Sequence, residues 1–272
     1  MHPSGLGTVG ILGCGWLGKA LAVKLLEKGF NVKGTTTTED KLKELETTGI
    51  RAYQIAFLED KITGALEDFL ENTKVLIISI PPKYKDGDTV YQALKHILTQ
   101  QNPKHLQKII YISSTGVFKN GEHREYDEDS QPNAETDKGK YLIRLEQLFN
   151  PENLKQEVTV LRLGGLIKHG GRHPVHYLAG RTGIANPEAS VNLIEQQDAV
   201  DLICALINKK RLKPVYHGVY PRHPARKAYY TQKATELGLE PPGFKQGEKS
   251  LGKTIRSEQT STDLNFKFNS KI

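Results

Sequence analysis

The chain has 272 residues, a formal net charge of +7 and two cysteines, Cys14 and Cys204; that length buries a full core without disulfide staples and reads as a soluble protein of the reducing cytoplasm. No apolar run approaches a membrane span and the first strand begins too early to leave room for a signal peptide, so neither a membrane partner nor export is expected. The basic residues are dispersed, Lys209-Lys210-Arg211 being the densest group, and they read as a solvated face and not as a nucleic-acid surface.

Thr8 to Leu12 is an apolar run of strand character, and Lys19 to Lys28 has helical period, with Leu21, Leu25 and Leu26 on one face. Between them stands Gly13-Cys14-Gly15-Trp16-Leu17-Gly18, a G-x-G-x-x-G turn. Gly13 permits the tight turn, Gly15 lets backbone approach a pyrophosphate, and Gly18 lets the helix pack on the strand. Cys14 is read as a small filler. The second strand, Asn31 to Thr35, runs into Gly34-Thr35-Thr36-Thr37-Thr38 with no acid before Glu39 and Asp40. An acid there would hold a ribose 2′-OH and repel a 2′-phosphate, so Thr35 and Thr36 point to NADP(H) over NAD(H).

A helix is expected over 39–47, a strand at Ala52 to Phe57, a helix over 60–71 and a strand at Val75 to Ile80. Pro81 and Pro82 stop that strand where cofactors of such sheets lie, so Pro81 should border the dinucleotide. A helix over 88–101 leads to the strand Lys108 to Ser113, a helix over 136–149 and the strand Val158 to Leu163. Strands alternating with helices imply an α/β, doubly wound parallel sheet, with 1–163 as its core. Residues 164–272 should form a smaller, mixed substrate-binding region in which 190–215 return to the core. It opens with the Gly-, His- and Pro-rich stretch Gly164 to Pro187 and continues with a strand at Ser190 to Ile194 and a helix at Gln196 to Asn208. A strand at Val215 to Val219 and a helix near 224–237 follow, and beyond Ser257 a polar tail carries Leu264, Phe266 and Phe268, placed to dock a last strand.

Ile112-Ser113-Ser114-Thr115-Gly116-Val117-Phe118, then Asp127-Glu128-Asp129-Ser130-Gln131-Pro132, a helix carrying Glu146, Gly170-Gly171-Arg172-His173-Pro174 and Asn192-Leu193-Ile194-Glu195-Gln196-Gln197-Asp198 follow one another in order. This succession resembles the extended short-chain dehydrogenase/reductases, which include nucleotide-sugar epimerases and dehydratases. The resemblance implies a Rossmann fold, a nicotinamide cofactor and hydride transfer on a carbonyl or sugar, with Ser114 orienting the substrate oxygen beside Thr115.

Two departures qualify it. Counting back from Glu146, the family's Tyr and Lys, one helical turn apart, fall on Lys138 and Leu142. The strings Tyr91 to Lys95 and Tyr229 to Lys233 lie elsewhere, at chance frequency. The glycine turn, moreover, is spaced G-x-G-x-x-G. A 6-phosphogluconate-type dehydrogenase shares that spacing, but it requires an all-helical second half, against the strands at 158–163 and 190–194. The combination resembles the atypical epimerase-like subgroup that keeps the cofactor site and lacks the pair. Lys138 is then a candidate proton donor if burial lowers its pKa. Asp127, Glu128 and Asp129 read as a solvated cluster. Arg172, His173 and Asn192 are candidate substrate contacts, His169 and His176 lie near them, and no metal is expected from spacings that supply no acid or thiol. Two readings stay open: an oxidoreductase with a non-standard proton donor, acting on a small or nucleotide-linked substrate, and a silent NADP(H)-binding sensor. A homodimer through the Tyr91 helix face is a further option.

Overall fold

A computed structural model describes residues 7–59, 61–82, 85, 87–101, 105–122, 124–247, 249–270 and 272. By contact the chain forms two compact units. Unit 1 comprises Met1–Ser113, Tyr141–Leu161 and Ile203–Val215; unit 2 comprises Ser114–Lys140, Arg162–Leu202 and Tyr216–Ile272. The sequence reading put the core at 1–163 with 190–215 returning to it; the chain passes between units more often than that, Ser114–Lys140 belonging to unit 2 and Ile203–Val215 to unit 1, because neighbouring strands of a parallel sheet are distant in sequence.

Strands β1 (Thr8–Leu12), β2 (Asn31–Thr36) and β3 (Arg51–Gln54) alternate with helices α1 (Trp16–Glu27) and α2 (Glu39–Glu46). A small hairpin, β4 (Ala56–Phe57) with β5 (Ile62–Thr63), precedes α3 (Leu66–Leu70), β6 (Val75–Ile78) and α4 (Thr89–His96), which runs on into a π-helical turn, Ile97–Gln101. Next come β7 (Lys108–Ser114), β8 (Glu125–Tyr126), α5 (Asp137–Glu146), β9 (Glu157–Leu163), β10 (Gly165–Ile167), α6 (Val175–Leu178), β11 (Leu193–Glu195) and α7 (Gln196–Asn208). The last elements are β12 (Val215–Gly218), α8 (Arg226–Glu236), β13 (Thr254–Ile255) and α9 (Glu258–Leu264).

The seven-stranded sheet has the order β12-β9-β7-β6-β1-β2-β3. Registers Val9↔Val32, Val9↔Val75 and Leu76↔Ile109 are parallel. Strands covered on both faces read as continuous apolar runs, and Ile11, Leu76, Ile77 and Ile78 are fully buried accordingly. On α1, Leu17, Gly18, Leu21, Ala22 and Leu25 form one buried stripe; each large apolar side chain buried this way contributes about 1.5–3 kcal/mol. From β1 the sheet grows one way through β2 and the other way through β6. The carboxyl ends of β1 and β6 therefore flank the switch point, the crevice where ligands of doubly wound sheets bind.

Two buried lysines brace unit 1 by the same device. Lys33 Nζ donates to the carbonyls of Asp68 (2.7 Å), Phe69 (3.3 Å) and Glu71 (2.5 Å) at the end of α3. Lys108 Nζ donates to Leu206 (2.9 Å), Ile207 (2.7 Å) and Lys209 (2.6 Å) at the end of α7. Each ammonium thus satisfies the orphan carbonyls of a helix end and complements its dipole.

Several elements differ from expectation. The strand expected at 52–57 breaks into β3 and the hairpin strand β4, and the helix expected over 60–71, of which residue 60 lies outside the described residues, shrinks to α3. Gly64 is the reason: at φ +95° any Cβ would run into the Gln54 carbonyl, so glycine alone lets the hairpin close. The last strand expected around Leu264, Phe266 and Phe268 is absent; α9 ends at Leu264, capped by Asn265 in the left-handed region at φ 48°, and 266–268 form neither helix nor strand. Instead β13 pairs with β8. In unit 2, β10, inside the stretch Gly164 to Pro187 where no strand was expected, pairs with β11, which overlaps the strand expected at Ser190 to Ile194. Beside them Val175, Leu178, Tyr229, Tyr230 and Ala234 form a core. Glu128, expected in a solvated cluster, is buried, its Oε1 accepting the Thr260 N–H (2.8 Å) and hydroxyl (2.6 Å).

Candidate functional site

In unit 1 the glycine turn has the construction that its spacing demands. Gly13 sits at φ +101°, where a Cβ would stand 2.8 Å from the Ser79 carbonyl. Its N–H donates to Thr35 Oγ1 at 2.8 Å and the Cys14 N–H donates to the Thr35 carbonyl at 2.8 Å, so β2 fixes the turn from the side. At Gly18 a Cβ would collide with the Gly13 carbonyl and lie 3.2 Å from Ile11 Cγ2. At Gly15 it would meet nothing within 4 Å. That open space lies at the N-terminus of α1, which has no side-chain cap and no acid in its first turn. Its first N–H groups, with no side-chain cap, and its positive dipole end suit a phosphate.

Beside the turn lies a cleft of about 630 Å³, lined on its apolar side by Ile55, Phe57, Ile80 and Val90 and on its polar side by Thr36 and Thr37, with Pro81 at its border. The cleft has room for part of a dinucleotide, and the turn Gly13-Cys14-Gly15-Trp16-Leu17-Gly18 that the sequence singled out stands beside it. Trp16 is half-buried and the only tryptophan, Leu17 is buried, and the Cys14 thiol packs against Gly34. Burial pushes that thiol up to about 12, which removes it from chemistry. Thr35, expected to receive a phosphate, is buried with its hydroxyl engaged by Gly13, so its part is to position the turn.

The residues expected to do chemistry separate into roles. Ser113 donates to Glu146 at 2.6 Å, both buried in unit 1. In unit 2, Ser114 is half-buried and its Oγ accepts the Gly116 N–H at 3.1 Å, capping the 3₁₀ turn Thr115–Val117, with Thr115 itself buried. Lys138 is exposed on α5, so the burial that its expected role requires is missing. Leu142, at the family's lysine register, is buried. Tyr229 of the second Tyr/Lys string is buried and contacts His173 Nε2 at 2.9 Å, while its Lys233 pairs with Glu236 at 2.8 Å. The Tyr91 ring, expected to face a partner, lies 4.0 Å beneath the Arg144 guanidinium.

Two expected substrate contacts are corrected by their hydrogen bonds. His173 Nδ1 accepts the Val175 N–H at 3.1 Å while Nε2 engages Tyr229; burial, helped by Lys233, holds this imidazole at about 4, so it is neutral at pH 7 and has no charge for an anion. Asn192 Nδ2 donates to the carbonyls of Ser190 (3.2 Å) and Lys253 (2.7 Å), and its Oδ1 accepts the Ile255 N–H (2.9 Å). Its amide thus clamps the chain around Lys253. Arg172 is exposed. Among the described residues no three His, Cys, Asp or Glu side chains gather to hold a metal ion.

A family model described as "NADP oxidoreductase coenzyme F420-dependent" matches residues 8–112. Protein YeeZ of Escherichia coli (strain K12) is 32% identical over 266 residues, covering 96% of this chain and 95% of that protein. The chain belongs to the YeeZ family. Among solved structures, MoeE5 in complex with UDP-glucuronic acid and NAD superposes with a TM-score of 0.77 at 16% identity, covering 97% of this chain and 95% of that one. A short-chain dehydrogenase/reductase superfamily protein from Agrobacterium tumefaciens with bound NAD gives a TM-score of 0.77 at 13% identity, covering 97% and 93%. This YeeZ-family chain thus has the doubly wound fold of the short-chain dehydrogenase/reductases.

Unit 2 also holds polar groups that no motif announced. His217 is fully buried, its Nδ1 2.8 Å from the Arg256 carbonyl and its ring edge-on to Phe118; burial holds it at about 4. The buried Arg162 guanidinium lies 5.1 Å from the centroid of the same Phe118 ring. Lys253 Nζ donates to the Phe118 carbonyl, at the end of the serine motif. These residues run from Phe118 to Lys253, 135 positions apart, and only the fold of unit 2 brings them together.

Proposed function

We propose that this YeeZ-family chain is a nicotinamide-dependent oxidoreductase or epimerase-like enzyme that moves a hydride at a carbonyl or sugar carbon. The observation that carries the reading is the open space over Gly15, at an uncapped, acid-free helix N-terminus beside a cleft with room for part of a dinucleotide. The family-model match over 8–112 and the NAD bound in structures of the same fold support it. When bound, the nicotinamide supplies or accepts two electrons as hydride. Gly13 to Gly18 hold its pyrophosphate, and Thr36 and Pro81 flank it. NADP(H) is preferred, because β2 ends without a carboxylate and Glu39 and Asp40 belong to the first turn of α2.

In unit 2, Ser114 and Thr115 orient the substrate oxygen and Arg172 takes an anionic group. A nucleotide-linked sugar is the substrate class favoured by UDP-glucuronic acid in MoeE5. Among the described residues no helix is long and apolar enough to cross a membrane, and both cysteines are unbridged, which suits work in the cytoplasm. Titration with NADPH and NADH, followed by Trp16 fluorescence, tests the reading: NADPH is expected to bind at least tenfold more tightly, and no response to either cofactor overturns it. A second reading, a silent NADP(H) sensor, is favoured by exposed Lys138 and buried Leu142 in place of the Tyr/Lys pair. A sensor binds NADPH yet oxidises it with no member of a panel of aldehydes, ketones and UDP-sugars; an enzyme oxidises it with at least one and loses rate in Ser114→Ala.

A further inference from the structure

In unit 1 the hairpin β4–β5 stands between two cavities. The first is the cleft of about 630 Å³ beside the glycine turn, which the hairpin lines with Ala56, Phe57, Leu58 and Glu59. The second, also of about 630 Å³, is bounded by Leu58, Glu59, Lys61 and Ile62 of the hairpin and by Gln92 and His96 of α4. Leu58 and Glu59 border both. The hairpin therefore has space along either strand.

Its root is tied to the sheet. The Ile55 N–H donates to the Thr36 carbonyl of β2 at 2.9 Å, and Gly64, at φ +95°, packs against the Gln54 carbonyl. Beyond the root the strands pair at Ala56↔Thr63 and Phe57↔Ile62, and the Leu58 N–H donates to the Lys61 carbonyl at 2.9 Å. Two strands alone are marginally stable, and Phe57 and Ile62, which pack this hairpin on the core, are only partly buried. Five large apolar side chains are exposed among the described residues, and Leu58, at 47%, is the one that lines these cavities. A leucine held in water at the lip of a cleft is stabilised by any apolar surface that comes to cover it.

We propose that the β4–β5 hairpin is a flap that closes on the adenosine half of the dinucleotide, with Leu58 meeting the adenine face. The inference rests on the cofactor reading and concerns the same site. In doubly wound sheets the end of the second strand faces the ribose that carries the 2′ group, so the adenosine half belongs beside Thr36 and Thr37. Ile80 and Val90 line the same cleft and offer apolar surface to one face of the ring. Swinging about its root, the hairpin brings Leu58 to the other face, narrowing the first cavity and widening the second. Glu59 and Lys61, both exposed, stay in water as the end of the hairpin moves.

The test uses the whole protein with two spin labels, one on Lys61→Cys and the other on Glu39→Cys, at the start of α2, or on His96→Cys, beside the second cavity; the native Cys14 and Cys204 are buried. Pulsed electron spin resonance reads the two distances while Trp16 fluorescence reports binding. With NADPH the Lys61–Glu39 distance is expected to shorten and the Lys61–His96 distance to lengthen, each by more than about 2 Å, the scale of loop rearrangement on binding. Adenosine 2′,5′-bisphosphate, which carries the adenosine half alone, is expected to give the same shifts, and failure to do so where NADPH succeeds overturns the assignment to that half. NADPH that binds with both distances unchanged overturns the flap and spares the cofactor reading, whereas absence of binding overturns both. Leu58→Ala alters an exposed side chain, so Tm is expected to hold while Kd for NADPH rises about tenfold. A Kd within about twofold of wild type overturns the proposal.

Discussion

Gly15→Ala separates the fold from the cofactor. Gly15 has φ −74° and ψ −155°, a conformation open to alanine, and its added Cβ meets no protein atom within 4 Å. The cost to folding is then only the weaker N-cap of alanine, about 0.5–1 kcal/mol. In the complex the methyl group occupies space that a phosphate needs in order to reach the first N–H groups of α1. Hydrogen bonds to a charged acceptor contribute about 1.5–3 kcal/mol each; losing two at the lower figure weakens binding by about 3 kcal/mol, or about 100-fold. Gly18→Ala is the counter-case. Its Cβ collides with the Gly13 carbonyl and presses on Ile11, an overpacking that costs about 1–3 kcal/mol and lowers Tm by about 2–4 °C per kcal/mol in a chain of this size. Trp16 fluorescence titration with NADPH gives Kd, and a thermal melt of the same samples gives Tm. Gly15→Ala with near-wild-type Tm and a Kd raised about 100-fold is the expected result. A Gly15→Ala protein that binds NADPH within threefold of wild type refutes the placement of the pyrophosphate over this residue.

Thr35→Val keeps the shape of the side chain but leaves the Gly13 N–H without its acceptor, so a loss of about 1–3 kcal/mol is expected in urea unfolding; Thr35→Ser should restore it, and equal stability of all three proteins would count against the turn as described. Lys108→Met and Lys33→Met each strand three helix-end carbonyls and should each cost at least about 2 kcal/mol, which unchanged urea midpoints would disprove. The buried His217 has a folded pKa of about 4 against 6.5 for a free imidazole. This base is depressed, so its contribution is complete above pH 6.5 and is lost as pH falls through about 4, by roughly 3 kcal/mol. Glu128 and Asp198, raised by burial, work in the opposite sense. The difference between the Tm–pH curves of wild type and His217→Asn isolates the histidine, and parallel curves from pH 7 to 4 would rule its role out.

The alternation of strand and helix was legible because a parallel sheet covered on both faces leaves unbroken apolar runs: β1, β2, β6, β7 and β9 all lie within or beside their expected spans. α7 occupies its expected span, Gln196–Asn208. Of the short elements, β11 and β12 overlap expected strands, while β4, β5, β10 and β13 were not legible as separate strands, since two or three residues show no period. The hairpin β4–β5 depends on a contact between Gly64 and Gln54, ten positions apart, and β13 takes a partner more than a hundred residues upstream. His173 and Asn192 carried the right chemistry for ligand contact, but nothing local reveals that each spends its polar atoms on neighbouring chain. Lys253 belongs to no motif.

What the sequence determined by itself is the glycine turn. Gly13, Gly15 and Gly18 provide a positive φ, an open face and a close helix, and the three missing Cβ atoms fall within six positions. What only the tertiary structure decided is which polar side chains are engaged and which have donors to spare. That depends on burial and on distant carbonyls: three around Lys33 and three around Lys108, against one for Lys253. A lysine looks the same in sequence in all three places, and its hydrogen-bond partners alone show which amines brace a helix end.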